Sequence, residues 1–564
     1  MKSWNKAVLS LLAASLLATA QPVFAEEAPA QKVEQQQTLP KEVQASLDKL
    51  LEAFPEMKKM GIRDQSYLPE NDFQPAGWYF GFDSRPEQPV EGKFYGNGHV
   101  KIDESGLLRN MHLQLPEWAA SEAPDHEKAK AHAQKFLEET LGEEKAKEYQ
   151  ISHVYSGSSS SMDDHGNSLS WTAAGVQFER LINGIPFHGD SIHIEVDSQG
   201  HIASYQRNEM KDIALDKFPS PSKAISSEEV HKIYREKMEM KLAYNGHQPV
   251  SSWMGATDKK VETKSVLKYE PNWAWQLNAL TGEEATSWDH ALRPKEQKIN
   301  LNSQGKILTI QSEEEFRQVL KEEFDFDSMD LVFEQRVERH QPYADVEIIN
   351  YELRPDYKRE TSKRKSQSHA FASVNKNTGQ VLHINLHSEK MTIPETKISE
   401  EDAVKTALEV LGQYAPTNVK EMIMMVQSFD QPPVPSWVDE SRLPKEARIR
   451  QMPKEYHINF SELHQGIPVH DRSYHVTIDG ATGQLTGFGI PSYAASKLPE
   501  GKPAISAEEA KDIYLEKHPL VLRYIWEEYM GQKAPAPQLV YQPQYPSHPS
   551  YLDALTGKVV ESKE

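Results

Sequence analysis

Two histidines five residues apart occur twice in this sequence, with matching neighbours. His188 and His193, with Asp190 between them, lie within 178–197, and His470 and His475, with Asp471, lie within 460–479. Imidazole nitrogens near a carboxylate can hold a divalent transition metal. Here, however, the interval spans a proline-containing turn and part of a strand, which is no standard ligand spacing. Strand alternation also puts His193 on the polar face, where it needs no buried partner. The four histidines are therefore read as solvated or hydrogen-bonding groups, with metal ligation as the alternative. No cofactor is expected.

Other catalytic signatures are missing from the chain. A metallopeptidase needs His-Glu-x-x-His on a helix. The nearest run, His126 to His132, has six residues between first and last position rather than four, which turns the rings to different helix faces. There is no Gly-x-Ser-x-Gly elbow and no phosphate-cradling glycine loop. The serine-rich stretch 157–161 reads as a flexible loop. No cysteine is present, which excludes thiolate chemistry, disulfides and a lipidated cysteine. A carboxylate pair for glycoside cleavage would be invisible among 84 acidic residues.

The residues around the histidines have conformational roles. Gly184 and Gly466 permit a tight turn, while Pro186 and Pro468 fix the start of the following strand and remove a backbone donor. Asp197 with Gly200, and Asp479 with Gly483, have the form of a side-chain-capped turn closed by a glycine at positive φ. The same signature occurs at 103–106, 302–305 and 375–379. These residues are read as structural.

Beyond these segments, the chain from residue 38 onward reads as one domain written twice. Gly184, Pro186, His188, His193 and Asp197 fall on Gly466, Pro468, His470, His475 and Asp479 at a constant offset of 282. Ala224-Ile225-Ser226 matches Ala504-Ile505-Ser506, and Ala279 to Gly282 matches Ala554 to Gly557. Collinear matches define copies at 38–310 and 311–564. Each copy has apolar helical stripes, such as Val43, Leu47, Leu50, Leu51 and Phe54, or Ala403, Ala407 and Leu411. Serine caps with a glutamate three residues on start helices at Ser226, Ser312 and Ser506. Strands alternate, with Ile192, Ile194 and Val196 opposite His193 and Glu195. The expected fold class is α+β: two tandem copies of a domain of antiparallel β-sheets flanked by α-helices.

The N-terminus has the form of a signal peptide, with two lysines, an apolar run at 7–20 and a Val-x-Ala site ending at Ala25. Cleavage there leaves a leader at 26–37. No later stretch has the ~20 apolar residues of a spanning helix. The formal charge of −21 disfavours nucleic acid and anionic lipid. A basic run at 358–365 reads as a solvated loop, or as a contact for wall polyanions.

The Gly-Ile-Pro-(Phe/Val)-His segments, with their alternating strands and Asp-to-Gly turns, resemble the YcdB/YcdC repeated domain of secreted proteins from Gram-positive, Bacillus/Paenibacillus-like bacteria. More distantly, they are similar to PepSY-type peptidase propeptide segments. The resemblance implies a secreted, extracellular or cell-wall-associated protein with no established activity. The expectation is a non-enzymatic binding module for a secreted protein or peptide, restraining or chaperoning a peptidase. A hydrolase of wall or matrix polymers and a passive envelope or spore-surface protein are the alternatives.

Overall fold

A computed structural model describes residues 38–70, 75–120, 122, 124–162, 168–210, 213–247, 264–271, 276–285, 295–338, 347–355, 368–387, 398–428, 434–443, 455–491, 497–544 and 550–561. The expected signal peptide, the leader and the basic run lie outside them.

Copy one begins with α1 (Lys41–Ala53), α2 (Pro55–Met60) and four strands, β1 (Ile62–Leu68), β2 (Gly77–Asp83), β3 (Asn97–Asp103) and β4 (Leu108–Gln114). Helices α3 (His126–Leu141) and α4 (Glu143–Ala146) lead into β5 (Tyr149–Met162), β6 (Ser168–Ile182), β7 (Ile185–Asp197) and β8 (Ile202–Glu209). Then come α5 (Ser227–Lys237), β9 (Met240–His247), β10 (Lys264–Pro271) and β11 (Leu277–Asn278). The strand β12 (Lys295–Asn300) leads into copy two.

Copy two repeats the order with α6 (Glu313–Phe324), β13 (Val332–Glu338), β14 (Ile348–Arg354), β15 (His369–Asn375) and β16 (Val381–His387). Helix α7 (Glu400–Tyr414) precedes β17 (Glu421–Ser428), β18 (Glu455–His464), β19 (Ile467–Asp479) and β20 (Leu485–Gly489). The tail holds α8 (Ala507–Lys517), β21 (Leu520–Ile525), β22 (Glu528–Tyr529), β23 (Gln532–Lys533), β24 (Gln538–Pro543), β25 (Ser550–Asp553) and β26 (Lys558–Glu561). The fold is α+β, with two repeated units and sheets dominated by antiparallel pairs.

Five of these helices start on a side-chain cap, which satisfies backbone donors that have no partner within the helix. Asp125, Ser226, Ser312, Ser399 and Ser506 each accept from a backbone N–H three residues on. Ser506 and Glu509 form a full reciprocal box. At α6, Glu315 instead accepts from Gln311 N, one residue before the cap. Each helix then buries one stripe. Ala129, Ala133, Phe136 and Leu137 of α3 pack over Phe178, Ile192, Ile194 and Tyr205, and α7 lays Ala403, Ala407 and Leu411 over Tyr456, Phe460 and Val476.

Sheet membership does not follow the order of the copies. In the first sheet β1-β2-β3-β4-β8-β7 is continued by β21 and β24 from the tail of copy two, and then by β11. In the second, β13-β14-β15-β16-β20-β19 is continued by β9 and β10 from copy one, and then by β25 and β26. The two junctions are equivalent parallel contacts, with Tyr524 opposite Phe187 and Tyr244 opposite Val469. Hydroxyls repeat the symmetry. Tyr244 donates to Pro499 O as Tyr524 does to Pro219 O, and Tyr269 donates to Ile505 O as Tyr541 does to Ile225 O. A third core, drawn from both tails, gathers Phe187, Phe218, Tyr234, Tyr244, Val469, Tyr524, Trp526 and Leu539. Arg235 of α5 seals its rim against Glu508 and Asp512 of α8.

Two local expectations change. Residues 157–161 are strand, not loop: Ser158, Ser159, Ser160 and Ser161 pair with Thr172, Trp171, Ser170 and Leu169. A partner strand supplies the order that a serine run lacks intrinsically. The 302–305 turn does not join a hairpin. Its backbone follows the end of α7, with Gln304 N donating to Gly412 O and Lys306 N to Gln413 O, so those donors are satisfied without a second strand.

Candidate functional site

The hairpins that carry the histidines are closed by residues with two successive positive φ angles, Asn183 and Gly184 in one copy and Gln465 and Gly466 in the other. That is the geometry of a two-residue turn whose twist matches the strands it joins. Pro186 faces Leu181 and Pro468 faces Leu463 just beyond.

A three-residue bulge follows in each copy. Glu179 pairs with Ser191 but Arg180 with Phe187, so 188–190 have no partner on β6; Ser461 pairs with Ser473 and Glu462 with Val469, which leaves out 470–472. His188 and His470 each take the first position of their bulge, whereas His193 and His475 lie beyond it. The bulge separates each pair, and the structure does not bring either pair together. A Cβ at Gly189 would lie 2.4 Å from the Phe187 ring; in copy two the smaller Val469 leaves room for Asp471.

Both bulges sit where the other copy's tail joins the sheet. Glu179, 2% exposed, lies 3.3 Å from His188 Nδ1 and 3.2 Å from Arg523 Nη1 of β21. Asp190, fully buried, accepts from Tyr149 at 2.8 Å and lies 3.4 Å from Arg180 Nη1; burial pushes its carboxyl above the usual range. At the second bulge His470 Nε2 lies 3.2 Å from Glu270 Oε2, and Lys268 lies 2.7 Å from Oε1 of the same carboxylate. Burial alone would raise Glu270, but His470 and Lys268 outweigh it and hold the carboxyl at about 2. Ser265 donates to Asp471 at 3.1 Å. The Glu179–Arg523, Glu270–His470 and Ser265–Asp471 contacts tie one copy to the other.

Asp197 and Asp479 cap the next turns. Asp197 Oδ1 accepts from Gln199 N and His201 N, and Asp479 Oδ1 accepts from Ala481 N and Thr482 N. Gly200 and Gly483 close these turns at φ 91° and 74°. The His132 ring lies against Gly200, while His126 Nε2 is 2.9 Å from Ser156 Oγ.

Among the described residues, the sheet faces opposite the helices gather side chains with chemical potential from strands far apart in sequence. In copy one a row crosses Tyr79, Lys101, Asn110, Gln206, His193, Gln177 and His153; the adjacent row holds His99, His112, Ser204, Glu195, Gly175 and Tyr155. Tyr155 stacks on His193 with rings 5.6 Å apart, and His99 Nε2 lies 2.7 Å from Asn110 Oδ1. Gly175 makes the stack possible, because a Cβ there would meet His193 at 2.6 Å and Tyr155 at 2.7 Å. In copy two the corresponding row is Asn350, Ser373, His383, Gly489, His475 and Asn459. Gly489 stands where copy one has Gln206, and the His475 ring lies over it to reach His383 Nδ1 at 3.0 Å.

Burial holds His99, His112, His153 and His383 below the usual imidazole value. For His475, burial followed by His383 and His457 lowers it to about 4. These rings are neutral at pH 7, and in the His383–His475 contact one ring donates to the other. Among the described residues no three His, Asp or Glu side chains converge as a metal site. None of those residues forms a helix long and apolar enough to cross a membrane. Sequence alternation identified His193 and His475 as face residues. It missed His99, His112, His153 and His383, whose only sequence signal is their position on the polar side of alternating strands.

The YcdB, YcdC repeated domain matches residues 93–209 and 327–492, together just over half of the chain. The two matched segments are the sheet regions that carry the two open faces. No curated protein and no solved structure shows significant similarity to the chain.

Proposed function

This chain belongs to the YcdB/YcdC repeated-domain family, and from that premise we propose that it is a secreted, non-enzymatic module that binds protein surfaces outside the cell. The observation that carries the proposal is the pair of sheet faces opposite the helices, largely half-exposed among the described residues and rich in Tyr, His, Asn, Gln, Ser and Gly. Such groups give large, rigid contact area and adaptable hydrogen bonding at low entropic cost, as in antibody paratopes. Gly175 and Gly489 leave room for the Tyr155, His193 and His475 rings to lie close against the sheet, and rings already packed there have less order to lose on binding. The signal-like N-terminus supports export. The propeptide-like hairpins support a secreted peptidase as partner, restrained or chaperoned by the face, and this part rests on analogy of fold.

The test is titration of the purified protein, residues 26–564, into the host's secreted peptidases. The expected result is a stoichiometric complex with altered peptidase activity or refolding yield, weakened at least tenfold by Tyr155→Ala with His475→Ala. Unchanged activity and no complex at micromolar concentrations would overturn the reading.

A further inference from the structure

The outer edges of the sheets differ in one respect that bears on assembly. Strand β5 pairs with β6 on its inner side, and among the described strands none pairs with its outer side. The equivalent strand of copy two is β17, since Gln177 faces His153 as Asn459 faces Met425. That strand is closed on its outer side by β12, with Lys295 through Asn300 running antiparallel to Val426 through Glu421. The fold therefore accepts an antiparallel strand at this edge, and copy one holds the edge open to the described chain.

Exposed edges usually carry charges, proline or very short strands that discourage pairing. The other outer strands conform: β1 has Arg63 and Asp64, β12 has Lys295, Glu296 and Lys298, β13 has Glu334, β26 has Lys558 and Glu561, and β11 is two residues long. In contrast, β5 has no Asp, Glu, Lys, Arg or Pro from Ile151 to Met162, in a chain where 26% of residues are charged. Its bulge lies between Ile151 and His153, which leaves ten residues, His153 to Met162, in unbroken register with β6. Tyr155, 39% exposed, is the third residue of this run.

We propose that the β5 edge pairs antiparallel with β5 of a second copy of this chain, around a two-fold axis at Gly157. A two-fold contact sets the edge against a copy of itself, residues equally far before and after the axis facing one another, so an edge of like charges would repel itself. An uncharged edge is self-complementary. With the axis at Gly157, Tyr155 faces Ser159 of the second copy and His153 faces Ser161, so no two bulky residues oppose one another across the contact. The pairing joins two sheets edge to edge and leaves the open faces uncovered, so it does not depend on the proposed binding function.

Sedimentation equilibrium of the full chain between about 1 and 100 µM should show a concentration-dependent dimer, dissociation constants in this span being readable there. Ser158→Lys, at an exposed position, should shift the molecule to monomer without changing its circular dichroism. Because the chain has no cysteine, Gly157→Cys provides a second readout. Among the described residues, a Cβ there meets within 4 Å only the Tyr155 ring, at 3.9 Å. Two such cysteines facing across the axis meet the distance needed for a disulfide. Mild oxidation should link Gly157→Cys into dimers, while Ser66→Cys on β1 stays monomeric. A monomer throughout the range, a dimer unaffected by Ser158→Lys, or equal crosslinking through Ser66→Cys would overturn the proposal.

Discussion

Dividing the chain between its copies should leave two fragments that fold only together. Without copy two, copy one loses Leu515, Tyr524, Trp526, Leu539 and Tyr541 from the shared core; without copy one, copy two loses Tyr234, Met238, Tyr244, Leu267 and Tyr269. Burial of a large apolar side chain contributes about 1.5–3 kcal/mol, so five of them contribute roughly 8–15 kcal/mol. That is comparable to the whole net stability of a typical domain, about 5–15 kcal/mol. Each fragment would also leave an open strand, β7 or β19, where the other tail had paired. The assay is production of 38–310 and 311–564 separately and together, with an affinity tag on one. Apart, each should bind the dye ANS and lack a cooperative melt. Together, they should copurify through repeated dilution and melt near the temperature of the intact chain. Two fragments that each melt cooperatively as monomers and ignore one another would refute the exchange of tails.

Gly489→Ala should cost about 1–3 kcal/mol through overpacking, because its new Cβ would lie 1.9 Å from the His475 ring; in a His475→Ala background the cost should vanish, which urea unfolding of both pairs would measure. Arg523→Ala should destabilise by roughly 2–4 kcal/mol, since it strips the guanidinium from Glu179, which is 2% exposed. Adding Glu179→Gln should recover most of that loss, and a denaturation midpoint that does not move would count against the pair. His475 is held at about 4 against an ordinary 6.5, so the unfolded chain takes up its proton first as the solution is acidified. Stability should therefore fall between pH 6.5 and pH 4, by on the order of 2–3 kcal/mol from this ring, and His475→Gln should flatten that part of the profile. Glu270 acts in a lower window. Its carboxyl is depressed to about 2 from 4.5, so its contribution is complete above pH 4.5 and lost as pH falls towards 2; Glu270→Gln should remove that acid limb.

What the sequence determined is local. Serine and aspartate caps, the Gly184 and Gly466 turns and the Asp197 and Asp479 turns are specified by residues within about four positions of each other, where sterics and side-chain hydrogen bonds act directly. The repeat was legible for a related reason, since both copies solve the same local problems with the same residues. Alternation also placed Ile192, Ile194 and Val196 inside and His193 outside. What only the tertiary structure decided depends on partners distant along the chain. A serine run became strand because β6 lies beside it. His188 and His193 were parted by a bulge that exists only as a register between two strands. The open faces gathered histidines from β3, β4, β5, β7, β16 and β19. Which tail completes which sheet is set by the burial of Tyr244 and Tyr524 against the opposite copy, and two copies of one domain write no preference for that pairing into their local sequence.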